Sequence, residues 1–458
     1  MPHVTIIGGG IAGLSTAFYL QQQSHETGKS ITYTLIDSEP HFGGKIVTTR
    51  VDDFVIEAGP DSFITMKPWG TQLCQELGLA DRIIPTNDRQ NSVFVLNKGR
   101  LTPFPGGFRL TIPTQFVPFA LTPLISPLGK LRMGLDLFIP PRQENSDESL
   151  GSFIRRRLGQ EAVDKFGGPI MAGIYVADPE QLSLQSTFPQ FSEMERKHGS
   201  LIKAMRSAKR SQPQRSSPSN NRPRAMFTSL RGGMGELVDT LVSRLTGELR
   251  PDSRVVDLRY RSPGFEVSLD TPHNHSFETD AVVLALPAYA AAKLVEPIEP
   301  QLAEMLTKIR YVSTATISLG YHLDEVTRQH DFNGFGFVIP KSENRQILAC
   351  TWSSTKFGHR APADNVLLRA FVGGAEQGHL VNLPDDDLIA LVQAELAATM
   401  GLSASPTVCK LFRWVDGNPQ YDVGHLDRVA EMEARAQYIS GLYLTGSAYR
   451  GIGIPDCV

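Results

Sequence analysis

The first forty residues carry a glycine pattern that restricts how this chain can begin to fold. Gly8, Gly10 and Gly13 stand in the spacing G-x-G-x-x-G. The apolar run His3–Ile7 before them predicts a buried parallel strand, and residues 14–20 after them predict a helix. In such a turn the first glycine permits a tight bend, the second admits a pyrophosphate, and the third lets the helix pack against the strand. The pattern therefore predicts a dinucleotide site in a Rossmann-like domain.

A second predicted strand supports this interpretation. Residues 31–36 are largely apolar or β-branched, and Asp37 follows them at the distance at which an acid meets a ribose hydroxyl. The competing interpretation is a glycine-rich turn that binds no ligand. The complete strand–helix–strand context makes that alternative the weaker one.

The residues after Asp37 favour FAD over NAD. Residues 43–45 read Gly-Gly-Lys, and residues 57–60 read Glu-Ala-Gly-Pro. This order resembles the FAD-binding start of the flavin amine oxidase superfamily, in which the Gly-Gly-basic turn lies along the FAD phosphates and ribityl chain. A dehydrogenase that binds only NAD does not need this second glycine turn.

Composition limits the class of protein. A chain of 458 residues exceeds one ordinary domain, so two or three are expected. The 45 Lys and Arg and 48 Asp and Glu give a net charge of −3, which is too close to neutral to indicate a nucleic-acid partner. The four cysteines stand far apart, which predicts free thiols in a reducing compartment and no metal cluster.

The sequence predicts neither a membrane span nor a signal peptide. No apolar run reaches the ~18 residues that a membrane-spanning helix needs. The predicted nucleotide strand begins almost at residue 1, so no leader is expected before it. The expectation is a cytoplasmic protein, with peripheral attachment to a membrane left open.

Two segments differ in composition from the rest of the chain. Residues 103–128 combine six prolines with Phe and Leu. This composition predicts either an irregular buried layer or an apolar entrance for a hydrophobic substrate, and in the second case the segment would also touch a membrane surface. Residues 203–224 hold seven Lys or Arg and no acid. They predict a flexible solvated loop, with an anion-attracting patch as the alternative.

Later segments predict a further strand of the nucleotide-binding sheet and, after it, a second sheet. Residues 281–287 are continuously apolar, as in a strand covered on both faces, whereas residues 265–269 alternate as a half-solvated antiparallel strand does. Alternating segments between residues 315 and 414, with a helix over residues 385–400, predict an antiparallel sheet covered by helices.

Specific motifs recur along the whole chain, namely EAGPDSF at 57–63, GIY at 173–175, ACTW at 349–352, PQY at 419–421 and GIGIPD at 451–456. In this order they closely resemble the flavin-dependent protoporphyrinogen/coproporphyrinogen oxidases of haem synthesis, particularly the bacterial coproporphyrinogen branch. The resemblance implies an α/β fold with α+β insertions. A Rossmann-like FAD-binding domain would be joined by a mixed-sheet substrate domain and a helical insertion.

The resemblance also implies discontinuous domains. The expected ranges are 1–60, 226–290 and 436–458 for FAD binding, 61–95, 185–225 and 291–435 for substrate binding, and 96–184 for the helical domain, which is the candidate for membrane contact. The implied reaction is FAD-dependent oxidation of coproporphyrinogen III, while O2 is reduced to H2O2. Protoporphyrinogen IX is the alternative substrate, and the sequence does not decide between the two. Transient contact with other haem-pathway enzymes is a further implied partnership.

The resemblance transfers roles to individual residues. Those expected to contact FAD are Gly8, Gly10, Ile11, Ala12, Gly13, Asp37, Ser38, Gly43, Gly44, Lys45, Gly59, Pro60, Asp61, Ser62, Val256, Trp414, Gly446, Gly453 and Ile454. Those expected to contact the porphyrinogen are Lys67, Gly173 and Ile174. No catalytic side chain is assigned, because the flavin itself takes the hydride, and no metal ligand is expected.

Several alternatives remain open at this stage. Lys67 and Arg109 are candidates for pairing with substrate carboxylates, and the alternative for each is a solvated surface cation. His425 is a candidate for a catalytic role, but a structural hydrogen bond is the commoner use of such a histidine. Another superfamily activity, such as an amine oxidase or carotenoid desaturase, and a non-catalytic flavin or porphyrin carrier are the competing functions.

The C-terminus departs from the family pattern. Family members continue beyond Val458 into a helix whose N-terminus approaches the flavin. The expectation is therefore either a truncated sequence or a flavin that lacks the positive helix dipole favouring its reduced anion.

Overall fold

The structure is a computed structural model, and it describes residues 1–105, 108–109, 112–113, 121–144, 146–168, 173, 175–211, 225–270 and 275–458. The chain forms two compact units. The first comprises Met1–Thr86, Ala225–Arg310 and Leu426–Val458, and the second comprises Asn87–Arg224 and Tyr311–His425. The predicted α/β class is confirmed. The division into three domains stays a prediction.

A five-stranded parallel sheet forms the centre of the first unit. Its order is Glu248–Arg250, Thr32–Ile36, His3–Ile7, Ala281–Leu284 and Leu442–Leu444. Helix Ile11–Thr27 joins the first two strands of the chain, as the glycine pattern predicts. Strand Ala281–Leu284 lies between two parallel neighbours, which explains its continuous apolar sequence.

The first unit also contains small antiparallel sheets and short helices. The sheets pair Thr48–Val51 with Phe54–Glu57, Phe227–Leu230 with Phe63–Ile64 and Ile83–Pro85, and Phe265–Leu269 with Val255–Tyr260 and Ser276–Thr279. The helices are Trp69–Glu76, Ala80–Arg82, Gly235–Arg244, Ala288–Val295, Pro300–Thr307 and Ile454–Cys457. Alternate residues of Phe265–Leu269 are buried, as its pattern predicts.

A seven-stranded mixed sheet forms the centre of the second unit. Its order is Val408–Pro419, Tyr311–His322, Asn365–Gly373, Ala349–Trp352, Gly336–Val338, Val93–Asn97 and Arg100–Pro103. Gly336–Val338 and Val93–Asn97 pair in parallel, whereas the other neighbours are antiparallel. Helix Asp385–Met400 has the predicted bounds and buries Leu388, Val392 and Leu396 in the core of this unit.

Short helices make up most of the remaining described part of the second unit. They are Pro127–Gly134, Leu135–Leu137, Leu150–Leu158, Gln160–Ala162, Val163–Gly167, Leu184–Thr187, Pro189–His198, Leu201–Ser211, Leu323–Val326, Lys341–Glu343, Ser353–Lys356, Gly374–Gln377 and Gly378–Asn382. Two short strands, Phe108–Arg109 and Ile112–Pro113, pair in antiparallel orientation. The helix His425–Gln437 spans the boundary between the two units along the chain.

The flexible-loop prediction for residues 203–224 is wrong over residues 203–211, which lie in the helix Leu201–Ser211. Leu201, Ala204 and Met205 are buried at helical spacing, and burial of this apolar stripe outweighs the repulsion between neighbouring cations. Residues 212–224 lie outside the described ranges.

A buried ionic network fixes the helical segments of the second unit. Arg157 and Asp136 form an ion pair, and both side chains are 0 % exposed. Asp136 also accepts hydrogen bonds from Ser200 Oγ at 2.6 Å and from the Ile202 amide at 2.9 Å. Arg157 also donates to the carbonyl oxygens of several helix ends, so each buried charge has several partners.

Across the described ranges, none of the helices is both long enough and apolar enough to cross a membrane.

Candidate cofactor-binding site

The turn between the first strand and the first helix has the geometry that its glycines predict. Gly8 has φ +107°, and a Cβ there would lie 2.4 Å from the carbonyl oxygen of Ala285. A Cβ at Gly13 would lie 1.9 Å from the carbonyl oxygen of Gly8. A Cβ at Gly10, by contrast, would meet no atom within 4 Å. The turn is therefore tightly packed at Gly8 and Gly13 and open at Gly10.

Helix Ile11–Thr27 begins at this opening. Gly10 is its N-cap residue, and no described side chain caps it. The first amides of a helix have no partner within the helix, and they lie at the positive end of its dipole. The opening therefore offers the donors and the electrostatic field that a phosphate group requires.

Asp37 follows the strand Thr32–Ile36, and its carboxylate holds the glycine turn. Oδ2 accepts a hydrogen bond from the Gly9 amide at 2.5 Å, and Oδ1 accepts one from the Glu39 amide at 2.8 Å. Each carboxylate oxygen can accept a further bond. Asp37 can therefore position the turn and still accept a ribose hydroxyl, which stays a prediction. The neighbouring Ser38 is exposed.

A second glycine turn packs on the first. The Gly43 amide donates to the Gly9 carbonyl oxygen at 2.8 Å. A Cβ at Gly44 would lie 3.1 Å from the Cα of Gly10. Lys45 is half-buried, and burial lowers the pKa of its ammonium. The turn predicted to lie along the FAD phosphates therefore borders the opening at Gly10.

The next predicted cofactor segment closes on Lys45. A Cβ at Gly59 would lie 1.8 Å from the Lys45 carbonyl oxygen, so a larger residue does not fit there. The Asp61 carboxylate accepts a hydrogen bond from Ser62 Oγ at 2.6 Å. The Asp61 carbonyl oxygen accepts one from Ser229 Oγ at 2.7 Å. These contacts fix the segment, in which Asp61 and Ser62 stay half-exposed.

Glu57 has a structural role that the sequence motif did not reveal. It is 4 % exposed, and it accepts hydrogen bonds from the Met234 amide and from Thr48 Oγ1, both at 2.7 Å. Thr48 Oγ1 in turn accepts from the Gly235 amide at 2.7 Å. Glu57 and Thr48 thus stabilise the start of helix Gly235–Arg244. The sequence signal for this role of Glu57 is its position as an acid at the end of an apolar run.

The last turn of the chain is anchored by Asp456. Its Oδ2 accepts a hydrogen bond from the Gly453 amide at 3.3 Å, and its Oδ1 forms an ion pair with Lys67 Nζ. A Cβ at Gly451 would lie 2.3 Å from Asp456 Cγ. Ile454 is 6 % exposed and belongs to the apolar core of the first unit. Lys67, predicted to meet a substrate carboxylate, therefore has a carboxylate partner in its own chain.

An open cleft of about 460 Å³ lies beside this turn, lined by Tyr19, Trp69, Gln72, Pro455, Asp456 and Val458. Trp69 is 55 % exposed. Burial, with Glu76 nearby, raises the pKa of Tyr19 to about 12, so its phenol stays protonated even at moderately alkaline pH. The cleft thus combines apolar and aromatic walls with the Asp456 carboxylate.

The other residues of the first unit that are predicted to contact FAD differ in their exposure to solvent. Ile11 and Pro60 are half-exposed, whereas Ala12 is buried. Gly446 has φ +116°, and a Cβ there would lie 3.8 Å from the Ala12 Cβ. Val256 is 52 % exposed, so the residue is accessible from solvent.

The remaining candidates belong to the second unit. Trp414 is half-exposed on the strand Val408–Pro419. Gly173 is exposed. Ile174 and the side chain of Arg109 lie outside the described part of the structure, so their predicted substrate contacts stay predictions.

His425 is placed as a structural residue. Its side chain is 1 % exposed, and its ring stacks on Tyr421 with 4.0 Å between ring centroids. This burial supports the structural interpretation over a catalytic one. Among the described residues, no group of three or more His, Cys, Asp and Glu side chains is arranged to hold a metal ion.

The donor set of the first unit fits FAD. The open helix terminus at Gly10 suits its phosphates, and Lys45 adds a positive charge beside the second turn. Asp37 provides an acceptor for a ribose hydroxyl. Larger side chains at Gly8, Gly13 and Gly59 would collide with backbone atoms, so the sequence keeps this cradle compact.

Known proteins show the same fold and the same class of cofactor. The model of the flavin containing amine oxidoreductase family matches residues 11–458. The coproporphyrinogen III oxidase of Bacillus subtilis (strain 168) is 37% identical over 459 residues, which cover 100% of this chain and 95% of the relative. That of Propionibacterium freudenreichii subsp. freudenreichii is 34% identical over 485 residues, covering 100% and 88%.

Solved structures agree with these relatives. A crystal structure from Exiguobacterium sp. 255-15, assigned as a protoporphyrinogen oxidase, has a TM-score of 0.87 at 32% identity and covers 100% of this chain and 96% of that chain. A putrescine oxidase bound to putrescine has a TM-score of 0.69 at 17% identity, with 100% and 96% coverage. The latter likeness shows the fold alone.

Proposed function

The chain belongs to the flavin containing amine oxidoreductase family and binds FAD, and we propose that it oxidises a porphyrinogen to the porphyrin in haem biosynthesis. The observation that carries the substrate class is 37% identity to a coproporphyrinogen III oxidase along the full chain. Coproporphyrinogen III is therefore the first proposed substrate, and protoporphyrinogen IX is the second. O2 is the proposed electron acceptor, with H2O2 as its product.

Bound FAD supplies the hydride acceptor for this oxidation. The porphyrinogen carries saturated carbons between pyrroles, and the adjacent pyrrole nitrogens stabilise a carbon that loses hydride and then release a proton. The chemistry therefore needs a positioned substrate more than an acid–base pair of side chains. This requirement agrees with the placement of His425 as a buried, stacked residue.

The proposed role of the first unit is to bind and orient the cofactor. The amides at the start of helix Ile11–Thr27 would hold the phosphates, and Asp37 would accept the ribose hydroxyl. The turn at residues 43–45 would lie along the linking chain, and Gly453 and Ile454 would lie beside the flavin ring. Lys67, Gly173 and Ile174 are the proposed substrate contacts, with Lys67 meeting a carboxylate.

We also propose peripheral contact with a membrane surface. Exposed large apolar side chains recur at helical spacing in Pro127–Gly134 and the following turn, with exposures of 78 % for Leu128, 67 % for Leu131, 44 % for Leu135 and 80 % for Phe138. Scattered exposed hydrophobic residues are ordinary, but a stripe on one face indicates a docking surface.

The charges next to this stripe favour an anionic lipid surface. Lys203 and Arg206 are exposed on the helix Leu201–Ser211. The Ile202 amide of that helix donates to Asp136, which lies within the stripe segment. Apolar insertion and cationic attraction together are the pattern of an interfacial helix.

Vesicle sedimentation tests the membrane proposal. Binding to vesicles that contain anionic lipid should exceed binding to neutral vesicles, and the L128S/F138S double variant should lose it. A matched control is Tyr438→Ser, since Tyr438 is 88 % exposed in the first unit. Equal sedimentation of the stripe variant and wild type would contradict the proposal, and concentration-dependent dimerisation without lipid binding would indicate a second copy of the chain as the occupant.

A porphyrin fluorescence assay tests the oxidase proposal. Purified protein loaded with FAD is mixed with coproporphyrinogen III or protoporphyrinogen IX, and kcat/KM is compared. We expect FAD-dependent growth of porphyrin fluorescence with H2O2 formation, and faster turnover of coproporphyrinogen. Bound flavin without turnover would instead support the carrier, and oxidation of an amine in place of either porphyrinogen would support another superfamily activity.

A further inference from the structure

Lys67 and Asp456 form an ion pair between two parts of the first unit that are 389 residues apart in the chain. We propose that Asp456 is a positioning residue that holds the last turn of the chain through Lys67 and competes with a carboxylate of the substrate for that ammonium. The competition rests on the proposed porphyrinogen substrate, whereas the spectral test of the positioning rests on the proposed place of Gly453 beside the flavin.

The Asp456 carboxylate makes two kinds of contact at once. Oδ1 pairs with Lys67, and Oδ2 accepts the Gly453 amide at 3.3 Å. A Cβ at Gly451 would lie 2.3 Å from Asp456 Cγ, so the carboxyl group packs directly on the backbone of the turn. A shift of the carboxylate therefore moves the backbone at Gly451 and Gly453.

The apolar side of the same turn is also fixed. Ile454 is 6 % exposed in the core that contains Phe63 and Leu73. A Cβ at Gly70 would lie 3.2 Å from Pro455 Cγ, so the turn also contacts the start of helix Trp69–Glu76. Ile454 and Pro455 thus hold one side of the turn, and the ion pair holds the other. Loss of the ion pair should shift the turn locally and leave the unit folded.

The ion pair is weak enough to exchange partners. The Lys67 side chain is 47 % exposed and that of Asp456 is 17 % exposed, and solvent screens such pairs strongly. Asp456 also lines the open cleft, so a ligand in solution can reach the pair. A porphyrinogen that bears carboxylates offers Lys67 the same chemical group as Asp456. Two carboxylates beside one ammonium repel each other, so binding of one weakens the other.

Binding of the substrate at Lys67 would therefore be coupled to the backbone beside the cofactor through the last turn of the chain. A carboxylate that takes Lys67 releases Oδ1 of Asp456 and loosens the backbone of Gly453, which the proposed function places beside the flavin. Asp456 therefore lowers the affinity for anionic ligands while it keeps the free enzyme's turn in one position.

Binding of coproporphyrin, a fluorescent tetracarboxylate that is not consumed, tests the competition on the FAD-loaded protein. At low salt Asp456→Asn should bind it about two- to fivefold more tightly, the factor that corresponds to a half-exposed ion pair. The gain should vanish at high salt and in K67A/D456N. The control Glu266→Gln breaks the ion pair of Glu266 with Arg261, whose side chains are 29 % and 58 % exposed, and should leave binding unchanged.

The visible spectrum and fluorescence of the bound flavin test the positioning independently. Asp456→Asn and Lys67→Gln should shift both in the same way, and Glu266→Gln should not. Lys67→Gln breaks the ion pair by changing its more exposed member. The positioning can therefore be tested even if Asp456→Asn does not fold.

The outcomes separate the two proposals. Unchanged flavin spectra in both variants would overturn the positioning role. Unchanged or weaker coproporphyrin binding by Asp456→Asn, with a normal wild-type affinity, would overturn the competition. A wild-type protein that holds FAD but neither binds coproporphyrin nor oxidises a porphyrinogen would overturn the proposed function and the competition with it, and the spectra alone would then decide the positioning role.

Discussion

The Gly9 amide donates a hydrogen bond of 2.5 Å to the Asp37 carboxylate, and this bond joins the turn after the first strand to the end of the second. The expected phosphate turn and the expected ribose acceptor are therefore parts of one hydrogen-bonded unit. The Gly43 amide extends this unit by donating to the Gly9 carbonyl oxygen at 2.8 Å. A change at any of these positions should alter cofactor affinity through the geometry of the whole cradle.

Asp37→Asn should weaken FAD binding about tenfold, because a hydrogen bond to a charged acceptor contributes roughly 1.5–3 kcal/mol and the amide of Asn replaces one acceptor with a donor. Titration of the apoprotein with FAD, followed by flavin fluorescence, measures the affinity. Glu39→Gln is the control, since Glu39 uses its backbone amide rather than its side chain in this contact. An unchanged affinity in Asp37→Asn would contradict the role of the carboxylate.

Alanine at two glycines of the first turn should separate folding from cofactor binding. Gly13→Ala places a Cβ 1.9 Å from a carbonyl oxygen, so we expect loss of stability as well as loss of flavin. Gly10→Ala meets no atom within 4 Å in the protein, so the fold should persist while FAD binds at least tenfold more weakly. Thermal unfolding and FAD titration distinguish them. Normal FAD affinity in Gly10→Ala would place the phosphates elsewhere.

Asp136→Ala should lower the free energy of unfolding by about 3–5 kcal/mol, because it leaves the buried Arg157 charge without its carboxylate. The control Glu144→Ala breaks an ion pair with Arg142 in which Glu144 is 73 % exposed, so it should leave the free energy of unfolding nearly unchanged. Denaturant unfolding gives both values. The double variant D136L/R157M should lose less than the sum of the single changes, and additive losses would argue against a coupled pair.

Acidification should destabilise the second unit through His330. Burial against Trp352, at 4.7 Å between ring centroids, lowers the pKa of His330 below its ordinary value, and the nearby Asp331 only partly opposes this shift. As the pH falls through about 6.5, His330 binds a proton in the unfolded chain but not in the folded chain. The contribution of His330 to the free energy of unfolding is therefore complete above about pH 6.5 and decreases as the pH drops.

Melting temperatures of wild type and His330→Asn between neutral and mildly acidic pH check this expectation. The variant should show a shallower fall, although not a flat one, because burial also lowers the pKa of His3. His359→Asn is the matched control, since His359 is exposed and has φ +67°, which asparagine tolerates. Parallel curves for wild type and His330→Asn would show that His330 does not carry the effect.

Local sequence patterns predicted the elements whose signals are local. Gly8 to Gly13 define a turn through their spacing, and helix Asp385–Met400 has acidic residues in its first turn and a glycine directly after its last residue. The sequence does not predict the helix Leu201–Ser211, because its many cations conceal a short apolar stripe. The partnership of Lys67 with Asp456 had no local signal, since 389 positions separate the two residues. Their pairing follows from the tertiary packing of the last turn on helix Trp69–Glu76.

The proposed reaction is a hydride transfer from a porphyrinogen to FAD bound by this chain. Mixing the FAD-loaded protein with coproporphyrinogen III in the absence of O2, while following the visible absorption of the oxidised flavin, tests it most directly. We predict that the absorption is lost as each flavin takes one hydride, and that it returns when O2 is admitted. Porphyrin fluorescence should grow only after O2 is admitted, because one macrocycle must lose three hydride equivalents to become the porphyrin. A flavin spectrum that stays unchanged with excess coproporphyrinogen or protoporphyrinogen would contradict the claim.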